Sequence, residues 1–315
     1  MSTIHFLNVK EGDCNIIQHD SGRVSVIDVS NGNDDNDVLF ESVGNYKQKE
    51  NPVNPIVYMK KLGIKEVFRF ILTHPDMDHM DGLKKLFTNF NVVNFWDTNN
   101  NKEVNFDKKS RYKEDDWNYY QNIRKSIKSP KVLTFYSGEE GEYYNQDKSG
   151  GHGDGIHILA PNKTLEEIAN STKEYNNISY VLMYEEHGRK ILFAGDSEEA
   201  TWDFILANYE DKVKNIDILI APHHGRKSGG NDDYLDILNP KITLLGNARS
   251  KYLDYSSYNN RNLIHYTNNE AGNIIININK YGIKGYCTCK SFAYKMNNNT
   301  YKSDKFDAWF LFEIY

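Results

Sequence analysis

Residues 74–79 read His-Pro-Asp-Met-Asp-His, so four side chains able to bind a metal ion fall within six positions. The apolar run VFRFIL precedes them and Gly82 follows. In an extended backbone alternate residues face the same side, which lets His74 and Asp76 point one way. A turn relaxed by Gly82 then swings Asp78 and His79 toward a neighbouring point. Two carboxylates and two imidazoles this close would repel, or lack partners, without a cation between them. Imidazole and carboxylate are also donors that zinc and manganese accept. The spacing therefore predicts two adjacent divalent cations rather than one. Two further places carry compatible groups. Asp196 follows FAG, and His223 and His224 stand side by side in PHHG, a pairing that suits neither a strand face nor a helix face.

Such residues need rigid carriers. Four short apolar segments end in an acid or a histidine: VSVID at Asp28, VFRFILTH at His74, KILFAGD at Asp196, and IDILIAPHH at His223 and His224. Continuous apolar runs of this length, bounded by Gly, Pro or Asn, are expected as strands covered on both faces. Helices are expected between them, over residues 52–62, 82–90, 111–128, 163–170, 197–209 and 231–238. The alternation predicts an α/β layered protein with mixed sheets, in which ligands gather outside strand ends. Residues 97–155, polar and rich in tyrosine, read as an insertion that partly covers a site. No internal repeat and no linker interrupts the chain, so residues 1–315 are expected to form one domain.

Composition narrows the class. The chain is 39% hydrophobic and 26% charged, with a formal charge of −6. That balance suits a soluble globular protein and argues against a broad electrostatic footprint on duplex DNA or anionic lipid. It leaves room for a nucleic-acid substrate, because bound cations offset clustered carboxylates locally. The Asn-rich tracts DTNNNKEV and KMNNNT, short and flanked by apolar residues, read as polar loops. Cys14, Cys287 and Cys289 give no disulfide framework, and Cys287 and Cys289 are expected on one face of a strand. The segment HFLNVKEGDCNIIQ already reads as a first strand, so no signal peptide is expected. No apolar run approaches membrane-spanning length. A reducing cytoplasm is the expected compartment.

Taken in order, these segments resemble the metallo-β-lactamase fold hydrolases, with closest similarity to the soluble hydrolase domain of ComEC-type DNA-uptake proteins and their stand-alone relatives. FLNVKEGDCNIIQ is similar to that group's opening strand and turn, with its Gly-Asp pair at Gly12 and Asp13. VIDVSNG, LTHPDMDHMDGL, NNISYVLMYEEHGRKILFAGD and DILIAPHHGRKSGG resemble the successive motifs, and NPKITLLG and YTNNEAGNIIIN the closing strands. The resemblance implies an αββα sandwich with a dinuclear metal centre. By that resemblance His74 and Asp76 hold one metal. Asp78, His79 and either His223 or His224 hold the second, and Asp196 bridges. Asp28 is implied as support behind the ligands, with Asn176, Asn177 and Ser179 near the third motif. Two departures stand out: Asp76 replaces a histidine common in the superfamily, and no separate histidine precedes Ser179. Both trade imidazole for oxygen and favour Mn²⁺, or Mg²⁺, over a purely zinc-type site. Arg226 replaces a serine.

The expected activity is metal-assisted hydrolysis of a phosphodiester in a nucleic acid or nucleotide, by a nuclease or phosphodiesterase using two divalent ions, Mn²⁺ or Zn²⁺, with Mg²⁺ a further candidate. Asp78, His79 and Asp196 are the expected catalytic residues. Arg226, Lys227 and Ser228 are expected to grip phosphate oxygens. Two other readings stay open at this point: hydrolysis of a lactone, thioester, amide or other non-phosphate ester, and a weakly catalytic metal-binding interaction module, for example in bacterial defence. No membrane association is expected, and the sequence names no protein partner.

Overall fold

The computed structural model describes residues 1–33, 44–107, 110–149, 151–227, 231–249 and 252–315. Among them the first strands are β1 (Ser2–Phe6), β2 (Asn15–Gln18), β3 (Val24–Ile27), β4 (Glu66–Ile71), β5 (Asn91–Trp96) and β6 (Lys131–Leu133). There follow β7 (Ile156–Ala160), β8 (Val181–Glu186), β9 (Arg189–Phe193), β10 (Ile218–Ile220), β11 (Ile242–Leu245) and β12 (His265–Thr267). The chain closes with β13 (Ile274–Asn279), β14 (Gly282–Cys287), β15 (Lys302–Ser303) and β16 (Ala308–Ile314). One sheet runs β15-β16-β14-β13-β1-β2-β3-β4-β5-β6 and the other β12-β11-β10-β9-β8-β7. Each is antiparallel at one end and parallel at the other. In the first, β3, β4, β5 and β6 are mutually parallel; in the second, β9, β10, β11 and β12 are.

Alternation along the strands sends side chains to two different cores. Ile27, Ile71 and Trp96 point into the space between the sheets and meet Phe193, Ile218 and Leu244 from the facing sheet. Their neighbours Val26, Phe70 and Phe95 point outward under the helices α1 (Pro55–Lys61), α2 (Leu83–Asn89) and α3 (Glu114–Ile123). On the other side Leu192 and Leu219 pack beneath α5 (Glu199–Val213) and α6 (Tyr234–Leu238), while α4 (Lys163–Thr172) caps a small satellite cluster. The layers are thus helix, sheet, sheet, helix, the αββα sandwich with mixed sheets expected from the sequence. Local signals set the helix starts. Asn54 accepts hydrogen bonds from the amides of Ile56 and Val57 with Pro55 in the first turn, and Asn162 accepts from Leu165.

Three readings change in detail. HFLNVKEGDCNIIQ is an antiparallel pair, β1 and β2, rather than one strand, because the Glu11-Gly12-Asp13 turn interrupts it. Cys289 lies beyond β14 as the residue before the helix Lys290–Met296; both cysteines are nonetheless buried between the sheets. Within residues 97–155, α3 and β6 belong to the layers themselves. Trp117 and Tyr120 of α3 sit in the outer core, and β6 extends the first sheet beside β5.

The end of that segment is tied inward by charge. Arg69, from β4, is buried between the sheets and lies 2.7 Å from Asp154 Oδ2. Arg23 reaches the same carboxylate at 2.8 Å, and the Ser21 hydroxyl donates to it at 2.6 Å. Arg69 also donates to Ser25 Oγ and to the Tyr143 carbonyl. Burial opposes the carboxylate's charge, but Arg23, His19 and Arg69 outweigh it and hold Asp154 down to about 2.

Candidate metal centre

The chemistry collects where the two sheets meet at the C-terminal ends of two adjacent pairs of parallel strands. β3 and β4 deliver Asp28 and the 74–79 loop; β9 and β10 deliver Asp196 and the histidine pair. After β4 the chain makes a 3-10 turn over Met77–His79. Gly12 packs so tightly on that turn that an added Cβ would lie 2.0 Å from the Asp78 carbonyl oxygen. On the facing sheet, His223, His224 and Gly225 all adopt left-handed backbone, with φ of 53°, 59° and 82°. That conformation is costly for residues with a Cβ. It is fixed by the His223 amide donating to the Gly195 carbonyl and the Asp254 amide to Gly225. The tight turn lets consecutive imidazoles reach one carboxylate.

Asp196 is that carboxylate, and its two oxygens face different sets of donors. Oδ1 lies 3.1 Å from His79 Nε2 and 3.5 Å from His224 Nε2. Oδ2 lies 3.4 Å from His223 Nε2 and 3.8 Å from His74 Nε2. Asp78 Oδ2 joins the first set at 3.6 Å from His224 Nε2, and Asp76 Oδ1 joins the second at 3.7 Å from His74 Nε2. Donor atoms of His74, His79 and Asp196 lie within 4.8 Å of one another, and so do those of Asp78, His79 and His224. His223 and His224 each address one oxygen of Asp196.

Hydrogen bonds behind the centre orient the rings. Thr73 donates its hydroxyl to Asp28 Oδ2 at 2.7 Å and its amide to Oδ1 at 2.7 Å. Its hydroxyl proton is thereby committed, so at 3.2 Å it accepts from His74 Nδ1. His79 Nδ1 donates directly to Asp28 Oδ2 at 2.7 Å. One buried carboxylate thus turns both Nε2 atoms toward the centre. His224 Nδ1 lies 3.2 Å from Asp13 Oδ2, a charge contact bent away from linear hydrogen-bond geometry. Ser179 Oγ accepts from the Asp196 amide at 3.2 Å, whereas Asn176 turns to Glu198 and Asn177 to Thr201.

The chemistry of this donor set suits metal ions. His74 Nε2, His79 Nε2, His224 Nε2 and Asp196 Oδ1 are buried and make no hydrogen bond. Leaving one such group unsatisfied costs about 1–3 kcal/mol, and cations shared around Asp196 would satisfy all four. Electrostatics agree. Burial opposes charge on His79, but Asp196 and Asp28 outweigh it and push that imidazole well above the ordinary histidine range. His224 is raised likewise by Asp196 and Asp13 against its burial. His74 is lowered, by burial and by His79. Without a cation, protons on His79 and His224 offset Asp196; a cation would have to displace them.

Sequence reasoning missed three contributors. Asp13 was visible only as part of a Gly-Asp pair. Lys102, from the Asn-rich tract, forms an ion pair with Asp76 Oδ1. Arg111 pairs with Glu11 and bears on Asp78. No local pattern announces either cation, because each acts on residues far away in sequence. Of the expected phosphate-gripping residues, Arg226 lies 4.9 Å over the Tyr252 ring and, after burial, Asp196 and His224, also bears on His223. Lys227 is exposed, and Ser228 lies outside the described residues. His152 and His157 line a separate surface cavity with Asp20, Asp147 and His187.

Asp13 gives a direct test of this support. Carboxylates behind a ligating histidine typically contribute 10–100-fold to metal affinity. Asp13→Asn is expected to weaken binding by about that factor in chelator competition, with the protein still folded; unchanged affinity would remove Asp13 from the centre.

No protein-family model and no curated protein matches the sequence. Solved structures give distant likenesses. A diphosphatase from the PhnP family is 11% identical, over 78% of this chain and 85% of that one, with a TM-score of 0.39. The metallo-β-lactamase SMB-1 bound to 2-mercaptoethanesulfonate is 12% identical, over 70% and 76%, at 0.37. Zn²⁺-bound PqqB from Methylobacterium extorquens is 12% identical, over 70% and 72%, also at 0.37. At these TM-scores the likenesses carry no inference for this chain, and its fold is read from its own sheets and cores.

Proposed function

We propose that this protein is a metal-dependent hydrolase of phosphodiesters, acting on a nucleic acid or a nucleotide with two divalent ions. The observation that carries the proposal is the position of Asp196, whose two oxygens each face two imidazoles while Asp76 and Asp78 stand on opposite sides. His74, Asp76 and His223 would hold one ion with Asp196; Asp78, His79 and His224 would hold the other. Divalent cations supply there the Lewis acidity that makes hydroxide available from water near neutral pH and neutralises charge developing on an ester oxygen. The mixed oxygen and nitrogen donors suit Mn²⁺ or Zn²⁺, and Mg²⁺ more weakly.

The chain's own groups supply the rest. Burial opposes the charge of Asp78, but His224 and His79 outweigh it, so its carboxylate stays ionised and offers an acceptor for the proton of an attacking water. Arg226 and Lys102 place positive charge on the mouth of the centre, where an anionic ester oxygen would be oriented. With divalent ions bound, their charge together with that of Arg226 and Lys102 would favour an anionic substrate over a neutral one. Among the described residues no helix is long and apolar enough to cross a membrane.

A hydrolysis panel tests this reading: bis-p-nitrophenyl phosphate, single-stranded DNA, RNA, cyclic nucleotides, and neutral esters and lactones, each with Mn²⁺, Mg²⁺ and Zn²⁺. Turnover is expected for phosphodiesters, and Asp78→Ala is expected to lower it by about 10³-fold or more, roughly 4 kcal/mol of barrier. Activity confined to neutral esters, or retained in the variant, would replace the proposal. Fewer than one bound equivalent after metal loading would favour an interaction module instead.

A further inference from the structure

Asparagine-rich loops usually need no explanation, but the tract DTNNNKEV is fastened at each of its three asparagines. Asn99 donates to Glu166 Oε1 at 2.7 Å, and its carbonyl accepts from Asn170 at 3.0 Å. Asn100 donates to the Tyr120 hydroxyl at 2.7 Å, and its carbonyl accepts from Arg124. The Asn101 amide donates to Asn170 at 2.8 Å, and its side-chain oxygen accepts from both Tyr175 and Lys173. The tract is therefore pinned to α3 on one side and to α4 and the Tyr175 turn on the other. Lys102 follows at once. Its stem is mostly buried, its ammonium stands 5.3 Å over the Tyr175 ring, and it pairs with Asp76 Oδ1.

That oxygen is the one facing His74 Nε2. A cation bridging His74, Asp76 and Asp196 through that oxygen would therefore compete with Lys102 for it. On the other side, where Asp78 faces His224 and His79, the cation that bears on Asp78 is Arg111, which pairs with Glu11 Oε2. Resting on the two-ion reading above, we infer that Lys102 is a built-in counter-cation of Asp76 which a metal ion must displace, so that the His74–Asp76 position is the weaker one and fills last. Two features make the displacement costly. The pinned backbone restricts how far the ammonium can retreat, and the Tyr175 ring stabilises it where it is. An ammonium left within a few ångströms of a divalent ion opposes its binding.

Calorimetric titration of the metal-free protein with Mn²⁺, and separately with Zn²⁺, tests this without reference to turnover. Wild-type protein is expected to bind in a tight step and a weak step. Lys102→Met keeps the stem and removes the charge; it is expected to tighten the weak step by about tenfold or more while the tight step moves less than about twofold. Lys102→Arg keeps the charge and is expected to retain the weak step. Asp76→Asn is expected to abolish that step in either background. Thermal midpoints confirm that each variant is folded; should Lys102→Met not fold, Lys102→Arg binding both ions equally tightly would overturn the inference on its own. A weak step unchanged by Lys102→Met, or both steps shifted equally, would also overturn it. Wild-type protein that binds no ion at all would instead overturn the hydrolase reading.

Discussion

Asp196→Asn protein is expected to bind less than one equivalent of divalent metal where the wild type binds two, and to lose phosphodiester turnover by about 10³-fold or more. The substitution keeps the shape of the side chain and removes its charge and one acceptor oxygen. Because Oδ1 faces His79 and His224 while Oδ2 faces His223 and His74, one change strikes both positions. Elemental analysis after metal loading and removal of free ions, paired with kcat on bis-p-nitrophenyl phosphate, reads both consequences. Asp76→Asn offers the contrast, since it removes an oxygen from one side only. Two equivalents retained in Asp196→Asn would show that the carboxylate joins no pair of ions.

The second large effect concerns stability and lies away from the centre. Asp154→Asn is expected to destabilise the fold by about 3–5 kcal/mol, because Arg69 would stay buried with its partner carboxylate gone. For a chain of this size that corresponds to a fall of roughly 5–8 °C in thermal midpoint. The pH dependence carries a definite sign. In the folded protein Arg23, His19 and Arg69 hold this carboxyl down to about 2, below the ordinary aspartate range. Its stabilising contribution is thus fully present above about pH 4 and is lost as pH falls toward about 2. In that window wild-type stability falls more steeply than that of Asp154→Asn, and denaturant melts at several pH values measure the difference. Parallel curves would mean that the ion pair leaves the folding equilibrium untouched. Replacing Arg69 and Asp154 together with apolar residues of similar volume is expected to recover much of the loss.

What the sequence made legible follows from how far apart cooperating residues lie. His74, Asp76, Asp78 and His79 sit in one turn, so their chemistry shows as a local pattern. His223 and His224 advertise themselves by adjacency, and their left-handed turn explains why they fitted no regular face. The strand ends at Asp28 and Asp196 were readable because apolar runs stop there. Asp13, Lys102 and Arg111 were not, because each acts across tens to hundreds of positions on a partner that no periodicity marks. Arg69 was hidden differently: within VFRFIL it passes for a stray charge in a strand, and only Asp154, 85 positions later, gives it a reason to be inside. Helix existence was readable and helix ends less so; the segment expected over 111–128 is helical only from Glu114 to Ile123. The closing strands that the resemblance covers end with β13, and β14, β16 and β15 then extend the first sheet beside it.

The seam between the sheets gives the centre a mechanical role as well as a chemical one. Four of the proposed donors, His74, Asp76, Asp78 and His79, follow β4, and three, Asp196, His223 and His224, follow β9 and β10, so each sheet carries part of the centre. Ions gripped from both sides would act as rivets, so prying the layers apart would first require stripping them out. Loading at a hundred times the dissociation constant would add about 2.7 kcal/mol per ion to the resistance against opening.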